Sequence, residues 1–104
     1  MKKIILSLVL IGIIFLAGCI TARDKSEEAK LACIKECRAA LKAGRNLSNG
    51  PCLSNEIIED WVCDVAHSPR IPIDNNPENQ CSAWQVTAHH FVEVDPQCNF
   101  IRSV

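Results

Sequence analysis

The sequence predicts a small, disulfide-rich α+β domain. An N-terminal helix, a second short helix and a C-terminal β-hairpin follow a hydrophobic signal or anchor helix. Three observations lead there. Seven cysteines fall within 104 residues. Apolar residues from Asp24 to Ala43 recur with a helical period, and those from Ser82 to Val94 alternate as in strands. A chain this short forms one domain with a modest core, so cross-links matter to its stability.

The first 18 residues read as a leader. Lys2 and Lys3 precede an apolar run from Ile4 to Leu16, and Ala17-Gly18 supply small residues before Cys19. Charge, apolar core and small-residue exit are the parts of a secretory signal. The alternative is an uncleaved anchor, because Ile4 to Ala22 approaches the roughly 20 residues that span a bilayer. Either way the lysines stay inside and the remainder lies outside. Residues 19–26 form a polar tether and 27–104 the extracytoplasmic domain.

Asp24 to Ala43 predicts the long helix. Asp24 with Glu27 offers a capping box, and Gly44 is a natural stop. Ala29, Cys33, Cys37 and Leu41 mark the inward stripe, with Ile34 and Ala40 beside it. Basic residues from Lys25 to Arg45 are interleaved with Glu27, Glu28 and Glu36, which describes a solvated face rather than a nucleic-acid stripe. The turn-rich NLSNGP follows, and its Asn46 heads an N-glycosylation triplet.

Ser54 can cap the second helix, Asn55 to about Val62 or on to Ala66, with Ile57, Ile58, Trp61, Val62 and Val65 on one face. A strand competes for its second half, where Trp61, Cys63 and Val65 alternate with Asp60, Val62 and Asp64. Trp61 belongs to the core, given these neighbours. His67 to Gln80 holds three prolines and three asparagines and reads as a long extended loop, of the kind that often bears function. Ser82–Val86 and His89–Val94 then make the hairpin, turning at Thr87-Ala88 and ending before Pro96.

Cys33, Cys37, Cys52, Cys63, Cys81 and Cys98 form an even set outside the leader, and an exported domain oxidises them in pairs. Spacing alone does not choose the pairing. The expected hairpin suggests Cys81–Cys98, with Cys33 reaching Cys63 and Cys37 reaching Cys52. The odd Cys19 needs another role. LAGC, Leu16 to Cys19, resembles the lipobox of prokaryotic lipoproteins. That resemblance covers Met1 to Cys19 and implies a diacylglyceryl group on the Cys19 sulfur, cleavage before it and, in bacteria, an acylated amine. Two or more acyl chains anchor stably where one does not. The stretch GPCLSNEIIEDWVCDVAHSPR, 50–70, is also similar to small exported archaeal proteins of uncharacterised function, and this resemblance implies no activity.

Catalytic groupings are not legible. Motifs of the form CxxC, CxxCH, HExxH and GxSxG and the phosphate-binding loop are absent, and paired cysteines leave no free thiol nucleophile. No cofactor is expected. His67, His89 and His90, with Asp64 or Glu93, are the candidate metal ligands, although His89 and His90 would face opposite ways on a regular strand. Trp61, His67 and Arg70 could instead contribute to a recognition surface. The expected function is a membrane-anchored extracytoplasmic binding or envelope-interaction module, taking an envelope protein or small ligand as partner. The alternative is a small metal protein or enzyme built on the three histidines.

Overall fold

The computed structural model describes residues 24–104. The expected leader, Cys19 and most of the tether lie outside the described residues. Helix α1 runs Lys25–Lys42, starting inside the stretch assigned to the tether. Asp24 is its N-cap: the carboxylate accepts the Ser26 N–H, and the backbone carbonyl accepts that of Glu28. Glu27 and Glu28 sit in the positive first turn and Lys42 in the negative last one. Gly44, at φ +82°, lets the chain leave in the left-handed conformation. The buried stripe is Ala29, Cys33, Cys37 and Ala40, while Leu41 is 42% exposed. A four-residue spacing drifts about 40° per step on a 3.6-residue helix. By the third step Leu41 has rotated outward and Ala40 has taken its place. Among the described residues, no helix is long and apolar enough to cross a membrane.

The remaining elements form one four-stranded sheet in the order β1-β2-β3-β4. Strand β1 is Cys52–Ile58, β2 Trp61–Val65, β3 His90–Val94 and β4 Phe100–Ser103. The expected second helix does not form: its residues make the antiparallel β1–β2 pair. Asp60 enables the tight reversal at φ 71°, a region that aspartate tolerates better than most side chains. Every residue of β2 is buried. Covered on both faces, a strand becomes a short continuous apolar run whose period does not announce it.

Strand β3 runs parallel to β2 and antiparallel to β4. The expected Ser82–Val86/His89–Val94 hairpin is therefore also overturned. Residues 82–88 are tight turns with a single bridge, Trp84 to Ala88, and only the second segment is a strand. A parallel partner demands a crossover connection. Residues 66–89 supply it without an α-helix, using two short 3-10 turns at Pro72–Asn75 and Pro77–Asn79.

Alternation assigns the two faces of the sheet. Trp61, Cys63, Val65, Val92 and Val94 share a core with the inward side of α1. Val62 packs with Cys81, Ala88, Trp84 and Phe91 in a second cluster. The disulfides follow these faces: Cys33–Cys63, Cys37–Cys98 and Cys52–Cys81. The first agrees with expectation. The expected Cys81–Cys98 and Cys37–Cys52 pairs are wrong, because Cys98 belongs to the helix-side core and Cys81 to the opposite cluster.

Candidate functional site

The face of the sheet turned away from α1 bears a row of polar residues. Register places Cys52 opposite Asp64, Asp64 opposite Glu93, and Glu93 opposite Arg102. Two strands of like pattern, Trp61-Val62-Cys63-Asp64-Val65 and His90-Phe91-Val92-Glu93-Val94, each carry an acid in the fourth position. Parallel pairing without a register shift sets these acids side by side. Two residues earlier, on the same face, Val62 stands beside Phe91 and gives the row an apolar neighbour.

Asp74 fastens the crossover. It is 2% exposed, and its Oδ2 accepts the backbone N–H of His67 at 2.9 Å and of Ile71 at 3.0 Å. His67 Nδ1–H donates to Oδ1 at 2.9 Å. Burial pushes this carboxyl upward, but the hydrogen bonds from Ile71 and His67 outweigh it and hold Asp74 below the usual range. Gln80 donates its side-chain amide to the Asp74 carbonyl. Gly50 lies against the same clamp at φ +66°, where a Cβ would stand 2.6 Å from Asp74 Oδ1.

Fastened in this way, the loop delivers Arg70 to the acidic row. Arg70 Nη1 donates to Glu93 Oε2 at 2.6 Å, and Arg102 Nε donates to Glu93 Oε1 at 2.5 Å. Arg70 Nη2 also reaches the Asp74 carbonyl and Asn75 Oδ1. Glu93 is thus a buried carboxylate held between two guanidiniums, an arrangement that meets the cost of removing its charge from water.

Asp64 has no such support. It is 8% exposed, and its Oδ1 has no hydrogen-bond partner among the described residues. Burial, followed by the charge of Glu93, pushes its pKa up to about 8. The Val65 N–H and Arg70 offset only part of this. In the neutral range Asp64 is therefore mostly a carboxylic acid. Beside it opens a cavity of about 200 Å³, with Val62, Trp84 and Phe91 among its walls. Trp84 meets Phe91 edge-on, with ring centroids 4.9 Å apart.

Asp64→Asn is expected to remove a pH dependence of folding. With its folded pKa raised above the unfolded value near 4, Asp64 contributes stability that is complete below about pH 4. That contribution is lost as pH rises towards 8, by at most about 1.4 kcal/mol per pH unit. Urea midpoints measured across this window check it. The wild type should decline relative to the variant, whereas parallel curves would mean that Asp64 is ionised throughout.

The structure sets His67 apart from His89 and His90. His67 belongs to the Asp74 clamp. His89 Nδ1 lies 2.7 Å from Asp60 Oδ1, and His90 Nε2 lies 3.6 Å from Asp60 Oδ2. His89 precedes the regular strand, so both rings reach one carboxylate despite the strand-parity expectation. The His89 hydrogen bond is the main cause that lowers the pKa of Asp60. His90 also stacks on Trp61, at 4.6 Å between centroids. Among the described residues, no group of three or more His, Cys, Asp or Glu side chains is placed to hold a metal ion. The expected site, His67 with either His89 or His90 plus Asp64 or Glu93, is not assembled among the described residues.

Asn46 is exposed, and its Oδ1 accepts the Ser48 N–H at 3.0 Å. Trp61 is buried in the helix-side core and takes no part in the cavity. Of the cavity's polar residues, Asp64, Glu93 and Arg70 stood out in the sequence, though in other roles. Arg102 and Trp84, together with Asp74 of the clamp, did not. A visible signal was the single acid within each apolar strand, which marks a buried charge in need of partners. Comparison with family models, curated proteins and solved structures finds no match for the chain.

Proposed function

We propose that this chain is a membrane-anchored module, displayed outside the cytoplasmic membrane, that binds a small polar ligand between its crossover loop and its sheet. The observation that carries this reading is Asp64 Oδ1: a buried oxygen without a partner, beside a cavity. Leaving a buried polar atom unsatisfied costs about 1–3 kcal/mol. Oδ1 itself lies beneath the cavity surface, so a turn of the Asp64 carboxyl presents it to a ligand donor, which recovers that cost. The cavity is lined mainly by polar and charged side chains, with Val62, Trp84 and Phe91 as its apolar wall, which suits a polar ligand.

Display outside the membrane is supported by the leader, the lipobox-like LAGC and three disulfides of a kind that persist in oxidising compartments. Only five peptide steps separate Cys19 from the Asp24 cap, a reach of at most about 18 Å. An anchor at Cys19 would hold the domain close to the bilayer surface.

Two measurements test this reading. Mass spectrometry of the protein from host membranes should find a lipid-modified N-terminal Cys19, and an intact Met1 terminus would overturn lipid anchoring. Native mass spectrometry of the chain, incubated with pools of amines, carboxylic acids, amino acids and sugars, should show one adduct per chain. That adduct should be lost in Trp84→Ala. Absence of an adduct from every pool would overturn ligand binding.

A further inference from the structure

The lining carboxylates are not equivalent. Glu93 spends both oxygens on Arg70 and Arg102. Asp64 is the one with an oxygen unengaged among the described residues. The guanidiniums differ as well. Arg70 is engaged through Nε, Nη1 and Nη2. Arg102 bonds Glu93 through Nε and lies over the Phe91 ring at 5.2 Å, leaving its Nη groups without acceptors among the described residues. The Asp64 carboxyl, whose unpaired Oδ1 lies just under the surface, and one open cationic donor therefore flank the same cavity.

Charge balance narrows the ligand. A simple cation on Asp64 would also meet two guanidiniums, and a simple anion on Arg102 would also meet two carboxyl groups. A molecule with both charges avoids each conflict. Asp64 and Arg102 stand two strand spacings apart, about 9–10 Å at the backbone. Charges on neighbouring carbons, with a hydrogen bond of about 3 Å at each end, bridge such a gap. The cavity of about 200 Å³ corresponds to about seven waters, and Val62, Trp84 and Phe91 can receive a short apolar side chain. Resting on the ligand-binding reading above, we propose that the cavity takes a small zwitterion of free amino-acid dimensions, its ammonium on Asp64 and its carboxylate on Arg102.

Binding then carries a proton signature. The groups facing Asp64 are Glu93 from β3, Arg102 from β4 and Arg70 and Asp74 from the loop, while β1 offers the disulfide-bonded Cys52. An ammonium stabilises the Asp64 carboxylate. Below about pH 8, uptake therefore moves the Asp64 proton to solvent, one for each ligand bound.

Titration calorimetry on the purified full-length chain tests the proposal with L-alanine, L-valine, methylamine and acetate as probes, in two buffers of different ionisation heat. The zwitterions should bind about tenfold or more tighter than either single-charge probe. Their affinity should rise by up to about tenfold per pH unit between pH 6 and 8, releasing one proton. Asp64→Asn and Arg102→Gln should each weaken binding by about tenfold or more, in protein whose three disulfides are verified by peptide mapping. The proposal is overturned if methylamine or acetate matches alanine, if neither zwitterion binds, or if both variants bind like the wild type. An adduct from another ligand pool, seen alongside zwitterion failure, sinks this assignment and leaves ligand binding standing.

Discussion

Replacing Cys37 and Cys98 together by alanine is expected to cost about 4 kcal/mol of stability, with the helix loosening from the sheet. This bridge closes a 61-residue separation, the largest of the three, and loop closure in the unfolded chain scales with that length. The make-up of the contact argues for a large effect. The fully inward side chains of α1 are two alanines and two cysteines. Apolar burial returns about 25 cal/mol per Å², and such small side chains bury little. Covalent attachment supplies what packing does not. Cys37 and Cys98 are also buried, so their removal leaves a void where sulfur had filled the core. Urea unfolding of the oxidised double variant measures the loss. A change below about 1 kcal/mol would show that packing and the remaining Cys33–Cys63 bridge hold the helix without it.

The helix was legible because its signals are local. Asp24, the spacing of Ala29, Cys33 and Cys37, and Gly44 all lie within one segment. The even cysteine set was legible for a different reason, since export and parity need no coordinates. Pairing was not, because it depends on which sheet face each cysteine occupies. Residues 54–65 misled because Ile57, Ile58, Trp61, Val62 and Val65 fit a helical face as well as two strands. The reversal that separates the two readings rests on Asp60 rather than on glycine. Residues 82–94 misled because alternation marks a strand without naming its partner. Strand β3 lies between β2, far back in the sequence, and β4, beyond Pro96. The site shares that difficulty: Asp64 and Glu93 were visible as isolated acids, but only the parallel register makes them neighbours. Loop length pointed towards function, yet nothing local foretold that Asp74 would fold the loop back onto the sheet.

Asp74→Ala should therefore reach further than its position in a surface connection suggests. The substitution orphans the His67 and Ile71 N–H groups and removes the partner of the His67 ring. Each buried donor left without an acceptor costs about 1–3 kcal/mol. The loop should then open between His67 and Gln80 while Cys52–Cys81 still tethers its far end. Arg70 leaves with the loop, Glu93 keeps only Arg102, and the cavity loses a wall. Limited proteolysis should cut the variant within 67–80 at enzyme concentrations that leave the wild type intact. The acid limb gives a second check. Asp74 has a folded pKa below its unfolded value, so its contribution is present above about pH 4 and is lost as pH falls through the folded value. The wild type should weaken on that side, and the variant should weaken less because it has already forfeited the contribution. Gly50→Ala strains the same clamp with every donor retained, since its Cβ would crowd Asp74 Oδ1 at a positive φ. If both variants kept wild-type stability and protease resistance, the loop would be held by the disulfide and the Arg70–Glu93 pair, and Asp74 would be incidental.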